Sequence, residues 1–396
     1  MRTVYVDNNA TTRVADEAVE EMLPYFTKFY GNPSSMHSFG GRVGRKIEEA
    51  REKVARLIGA IPSEIIFTSC GTESDNAAIL GTLESYPEKR HIITTRVEHP
   101  AILTLCKYLQ KKGYKITFLP VNNNGALDPI QLEEAITDDT AIVSVMYANN
   151  ETGVIFPVEK IADITKKYGV VFHTDAVQAA GKLDINMKNN NIDLLSLSGH
   201  KLHAPKGIGV LYIRRGTRFR PFLKGGHQEN GRRGGTENTA SIIGLGKACE
   251  LALNNIKIEQ EEVKRMRDRL EKGLLERVSH TRVNGDTVNR LPNTSSLGFE
   301  FVEGEAILLM MDKLGICGSS GSACTSGSLE PSHVLRAMGV PFTYAHGSIR
   351  FSLSHYNTDE DVDYILEHMP KIITRLRELS PFTPENLEQK EPAMAR

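Results

Sequence analysis

Seven short apolar runs punctuate the first half of the chain: EIIFTS (64–69), HIITTRVEH (91–99), KITFLP (115–120), TAIVSVMYAN (140–149), VVFHTDAV (170–177), DLLSLSGHK (193–201) and GIGVLYIRR (207–215). They are rich in Val and Ile and mostly lack polar alternation. Strands read this way when neither face meets water, as in a largely parallel sheet covered on both sides. Helical patterns lie between them. In residues 42–58, Val43, Ile47, Ala50, Val54 and Leu57 fall on one stripe, the spacing of an amphipathic helix. This alternation predicts an α/β fold, a mostly parallel seven-stranded sheet flanked by helices. The pattern changes near residue 255. Residues 256–278 read as a long charged helix with Val263, Met266, Leu270 and Leu274 as its apolar stripe. It is expected to lead into a smaller α+β domain holding NTSSLGFEFV (293–302) and GSIRFSLS (347–354). The predicted division is residues 15–257 as the large domain, and 1–14 with 258–396 as the small one. The polar, proline-bearing end SPFTPENLEQKEPAMAR is expected to fray.

A length of 396 residues fits about two domains. The formal net charge of -1 provides no overall field toward nucleic acid or anionic lipid. No apolar run has the length of a signal peptide or a membrane span. Cys70, Cys106, Cys249, Cys317 and Cys324 are odd in number and widely spaced, unlike a disulfide framework, so a reducing cytoplasm is expected. Neither Cys317 nor Cys324 belongs to a CxxC pair, and zinc-ligand spacing is missing.

The chemistry-bearing residues fall where the predicted strands end. In SLSGHKLHAPKGIGVLY (196–212), Lys201 stands at the carboxyl end of a strand, the place where α/β proteins put ligands. A lysine alone is most often simply solvated. GIGVLY lacks the third glycine and the helix of a dinucleotide fingerprint. Asp175 and Gln178 follow another strand in HTDAVQ; a carboxylate there also serves as an ordinary helix cap. In TSCGTES (68–74), Gly71 and Thr72 open a helix and would aim backbone N–H groups at an anion. His99 precedes Pro100, which favours extended backbone. Arg350 lies inside an apolar strand, where a guanidinium needs an anionic partner. Cys324 sits in GSSGSACTSGS (318–328) with nothing apolar around it. Glycines and serines of this kind predict a tether on which a thiol can travel.

Each signal is modest alone. Together they supply what pyridoxal 5'-phosphate needs: a lysine for the Schiff base, a carboxylate for the ring nitrogen and a phosphate cradle. An arginine fork suits an amino-acid carboxylate. The sequence resembles the cysteine desulfurases, the NifS-like branch of the fold-type I pyridoxal-phosphate enzymes. The resemblance rests on YVDNNATT (5–12), YGNPSSMHSFG (30–40), TSCGTES (68–74), VEHPA (97–101), ANNETG (148–153), HTDAVQ (173–178), SGHKLHAPKGIG (198–209), GGHQENGRRGGTEN (225–238), GSACTSGSLEPSHVLRAMG (321–339) and IRFSLS (349–354). It covers essentially the whole chain.

The resemblance implies the following roles. Lys201 holds the cofactor and moves protons at the substrate Cα. His99 stacks on the ring, Asp175 keeps its nitrogen protonated, and Gln178 bonds its phenolic oxygen. Thr72, Ser198 and His200 bind the phosphate, and Gly71 permits close approach. Thr236 reaches the phosphate of a second subunit, so a homodimer is implied. Asn150 and Arg350 hold the carboxylate of L-cysteine, with Asn8 nearby. Cys324, on a loop at about 318–330, takes the sulfur and passes it to an iron–sulfur scaffold protein, for nitrogenase or for general cluster supply. No metal is implied in the resting enzyme; Cys324 would ligate a cluster only transiently, with the scaffold. Two other readings stand beside this one. A selenocysteine lyase or aminotransferase would share the cofactor residues, but an aminotransferase needs no travelling thiol. A non-catalytic sulfur carrier would need Cys324 and none of Lys201, Asp175, Gln178 and Arg350.

Overall fold

The structure, a computed structural model, describes residues 2–320 and 331–381. Cys324 and the expected fraying of the C-terminal end lie outside the described residues.

Among the described residues, the strands are β1 (Val4–Tyr5), β2 (Ile65–Thr68), β3 (His91–Thr95), β4 (Lys115–Leu119), β5 (Thr140–Ser144), β6 (Val171–Asp175), β7 (Leu194–Ser198), β8 (Gly209–Ile213), β9 (Thr281–Val283), β10 (Thr294–Phe299), β11 (Ile316–Cys317) and β12 (Ser348–Ser352). Seven of them form one sheet in the order β2-β8-β7-β6-β5-β3-β4. Each falls within one of the seven apolar runs. All neighbours are parallel except at β8, which runs antiparallel to both β2 and β7. Burial on both faces explains the missing alternation. Ile65, Phe67, Ile93, Val143, Phe172, Leu195 and Val210 enter one core. Their neighbours Ile66, Ile92, Ile142, Val171, Leu194 and Leu211 enter another on the opposite face.

The helix expected at 42–58 spans Ser38–Leu57, with Val43, Ile47, Ala50, Val54 and Leu57 buried. The helix expected from 256 is different. One helix runs Thr239–Ile258, a π-turn follows at Glu259–Val263, and a second helix spans Lys264–Arg277. The first packs Ile242, Leu245 and Ala248 into the large core, so the charged pattern near 256 marks a junction inside a helical run, not its start. The antiparallel sheet β12-β10-β9 has its own core, in which Leu297, Phe299, Ile349 and Phe351 meet Leu270, Leu274, Ile365 and Met369. Cys317 ends β11, which pairs in parallel with β1.

Candidate active site

Because β2, β3, β5, β6 and β7 point the same way, their carboxyl ends share one edge of the sheet. Asp175 ends β6, and the segments after the other four carry Gly71, His99, Asn150 and Lys201. They line one cavity of about 250 Å³ together with Thr72, Gln178, Ser198, His200 and Arg350.

Two backbone segments complete it. Residues 7–12 cross the sheet edge, tied down where Thr12 N–H donates to the His200 carbonyl at 2.9 Å. Lys201 Nζ donates to the carbonyls of Asn9 and Ala10, each at 2.6 Å. Gln178 Nε2 donates to the same Asn9 carbonyl at 3.0 Å, while Gln178 Oε1 is buried without a hydrogen-bond partner among the described residues. The second segment is the helix Gly71–Ser85, whose amino end opens into the cavity. Its first N–H groups lack intrahelical partners and favour an anion. A Cβ on Gly71 would stand 3.0 Å from Val177 Cγ2 and 3.3 Å from Ser198 Cβ, so a side chain there would crowd the phosphate cradle.

The electrostatics are those of a buried site. Asp175 Oδ1 accepts from the Val177 N–H at 2.9 Å. Burial pushes the Asp175 carboxyl up, and His99, that N–H and Lys201 pull it back. His99 caps the helix Pro100–Lys111. Its Nδ1 accepts from the Ala101 N–H at 3.1 Å, so in the neutral ring Nε2 carries the proton. Burial lowers His99, opposed by Asp175. Burial, and then Lys201, lower His200 to about 4. Both rings are therefore neutral at physiological pH.

Arg350 lies on the middle strand positions of β12. Its Nη1 donates to the Asn150 carbonyl at 3.0 Å and its Nη2 to Asp7 Oδ1 at 2.7 Å. Its Nε is buried without a partner among the described residues, and the side chain lines the cavity. The described residues flanking 321–330 approach this place from both sides. Ser319 exchanges backbone hydrogen bonds with Arg350, and Ser332 Oγ donates to the Glu151 carboxylate beside Asn150.

Two expected residues are not in this cavity. Asn8 turns its amide to the Ser352 carbonyl at 2.9 Å and lines a neighbouring cavity; Asn9 lines the main one. Thr236 lines a separate pocket with Phe67, Glu229 and Arg233. Cys70 is half-buried and lines the main cavity. Asp75 was not anticipated: it lines the cavity from the first turns of the Gly71–Ser85 helix and is only 1% exposed. Burial, and then the charge of Asp175, push its carboxyl well up. Its signal was its place four residues after Gly71, on the same helical face.

The class-V aminotransferase family model matches residues 4–365. The chain belongs to that family. Among its members, cysteine desulfurase of Trichormus azollae is 60% identical over 382 residues, covering 96% of each chain. Cysteine desulfurase NifS of Azotobacter vinelandii is 58% identical over 396 residues, covering 100% of this chain and 98% of the relative. A solved NifS-like protein superposes with a TM-score of 0.89 at 41% identity, covering 95% of this chain and 100% of the other. Class-V aminotransferases and NifS-like desulfurases are pyridoxal-phosphate enzymes, and the cavity has the parts such a cofactor requires. Among the described residues no helix is long and apolar enough to cross a membrane.

Proposed function

We propose that this class-V aminotransferase is a cysteine desulfurase, which takes sulfur from L-cysteine and leaves L-alanine. The observation that carries the reading is the meeting of Lys201, Asp175, Gln178, His99 and Arg350 in one cavity. That set suits pyridoxal 5'-phosphate and an amino-acid carboxylate together. The cradle at Gly71 supports the cofactor's fit.

Bound pyridoxal phosphate supplies an electron sink for the charge left when the substrate loses its Cα proton. The protein's residues do the rest. Lys201 anchors the cofactor by its amine and carries the proton to and from Cα. Asp175 holds a proton on the ring nitrogen. Gln178 bonds the phenolic oxygen, and His99 covers one ring face. Thr72, Ser198, His200 and the helix amino end bind the phosphate. Arg350 and Asn150 orient the substrate carboxylate, with Asn9 closer to it than Asn8. The Cys324 thiolate attacks the substrate sulfur. The C–S bond breaks, a persulfide forms on Cys324, and the carbon fragment gains a proton to become alanine. An iron–sulfur scaffold protein in the cytoplasm then accepts the sulfur, and the NifS-like resemblance admits nitrogenase maturation as its destination. Thr236 completes the phosphate site of a second copy, so the working unit is a homodimer with a large domain at 15–257 and a small one at 1–14 and 258–396.

The test is direct. Purified protein should be yellow, should release alanine from L-cysteine, and should gain the mass of one sulfur on the peptide containing Cys324. A colourless protein that makes no alanine would overturn the reading. Light scattering that finds an active monomer would overturn the dimer.

A further inference from the structure

Lys201 lines a second cavity, of about 210 Å³, that the chemistry above does not use. Its rim carries Glu17, which is exposed, and Tyr356, 39% exposed. Inward it is lined by His203, His355, Glu259 and Lys182. It thus runs from the surface to the side of Lys201, apart from the cofactor cavity.

Its inner groups are unusual. Lys182 is only 7% exposed, and its Nζ donates to the Gln178 carbonyl at 3.0 Å. Glu259 is 6% exposed. Its Oε1 accepts from His355 Nδ1 at 2.9 Å, while its Oε2 is buried with no hydrogen-bond partner among the described residues. Glu259 opens the π-turn between the two long helices, a distortion that recurs at functional sites. His203 holds a left-handed backbone, φ 59°, and its ring lies 4.8 Å from that of His355. A buried ammonium beside a carboxylate oxygen that has no partner among the described residues has no packing rationale.

We propose that this cavity is a proton-exchange channel to Lys201, and that Lys182 is the amine that passes protons at its inner end. The proposal rests on the reading of Lys201 as the group that moves the Cα proton. With cofactor and substrate seated, the main cavity is filled, and Lys201 needs another route to solvent. The Lys182 ammonium passes a proton through water in the cavity to the neutral Lys201 amine and regains one from solvent, or the reverse. Only N–H bonds change, and no net proton is consumed. The titratable groups facing Lys182 across the cavity are Lys201, Glu259, His203, His355, Glu17 and Tyr356. Burial brings the Lys182 amine down to about 8, with Glu259 raising it, so both of its forms are accessible near neutral pH. Lys182 touches neither substrate nor cofactor and acts through Lys201.

Lys182→Ala holoenzyme should lose roughly tenfold in kcat, less than a group acting on the substrate itself, with KM for cysteine unchanged. Methylamine and ammonia should restore the rate in proportion to their basicity. A second variant, Glu259→Gln, removes a charge and keeps the shape. In apoprotein, NMR of the Lys182 13Cε should show titration near 8 in wild type and lower in Glu259→Gln, with the pH–rate profile moving the same way. Unchanged kcat in Lys182→Ala, rescue indifferent to amine basicity, or Lys182 titrating at the ordinary 10.5 would each overturn the channel. Wild-type protein that makes no alanine from cysteine would instead overturn the desulfurase reading and leave the apoprotein titration standing.

Discussion

Asp7 holds Arg350: the carboxylate Oδ1 lies 2.7 Å from guanidinium Nη2. Arg350 is 3% exposed, and a second nitrogen is committed to the Asn150 carbonyl. Two of its five N–H donors are thus spent on fixing the plane of the fork, and the second N–H of each Nη remains for substrate. Arg350→Ala should leave cofactor colour intact. It should lower kcat/KM for cysteine about 10- to 150-fold, the equivalent of roughly 1.5–3 kcal/mol for a charge-assisted pair. Arg350→Lys should recover only part of this, because an ammonium cannot present a planar fork. Unchanged kinetics in Arg350→Ala would assign the carboxylate to another group.

Glu229 should matter for stability and for the cofactor cradle alike. Arg51 binds its carboxylate with two nitrogens, at 2.6 and 2.9 Å. Glu229 Oε2 also accepts from the Phe67 N–H at 3.0 Å, which fixes β2 just before it delivers Gly71. Both partners are buried. Glu229→Ala leaves a buried guanidinium with its main partner gone, at a cost of roughly 3–5 kcal/mol. Urea melts should show that loss, and the double variant Arg51→Met/Glu229→Leu should regain most of it. A single variant as stable as wild type would show that the pair fixes nothing.

Much of this was legible in the sequence where burial acts strand by strand. Six of the seven strands of the large sheet announced themselves because each is covered on both faces; in the edge strand β4 only Leu119 is buried. Lys201, Asp175 and His99 were legible because each follows such a strand. The helix Thr239–Ile258 was not. It buries Ile242, Ile243, Leu245, Ala248 and Cys249, which leaves no narrow apolar stripe, whereas the charged turns after it do show one. Asp7, Asn9 and Lys182 were illegible for another reason. The N-terminal segment reaches the site through hydrogen bonds to His200 and Ser352, and no local periodicity encodes contacts of that separation. Asn8 and Asn9 part company in the turn closed by the Ala10 N–H to the Asp7 carbonyl at 2.9 Å, so that they line different cavities.

Glu98 gives a pH signature that can be isolated. Its Oε1 accepts from Thr95 Oγ1 at 2.7 Å and from the Met146 N–H at 3.1 Å, and its other oxygen is buried without a partner among the described residues. Burial pushes the carboxyl up to about 8 from 4.5. A raised folded value means that the folded state holds the proton more tightly than the unfolded chain. The stabilisation is complete below pH 4.5 and is lost as pH rises through 8. Glu98→Gln keeps the acceptor and removes the titration. The stability of wild type relative to this variant, from urea melts at several pH values, should therefore fall between those two limits. A difference independent of pH would show Glu98 to be ionised throughout.

Lys201 and Cys324 should fail in different ways, and the contrast separates the two halves of the reaction. Lys201→Ala removes the amine that anchors the cofactor and carries the Cα proton. It should form no alanine, no persulfide and no exchange of the substrate Cα hydrogen with deuterated water. Cys324→Ala leaves Lys201, Asp175, Gln178 and Arg350 untouched. Adding cysteine should still change the cofactor's absorption, and the Cα hydrogen should still exchange. The reaction should then stall for want of a thiolate to take the sulfur. Little alanine and no persulfide should appear by mass spectrometry. Persulfide at the normal rate in Cys324→Ala would move the acceptor to another thiol. Cys70 would be tested first, because it already lines the cavity. Cys106 and Cys249 are buried, and their thiols are pushed up to about 12, so neither supplies a thiolate near neutral pH.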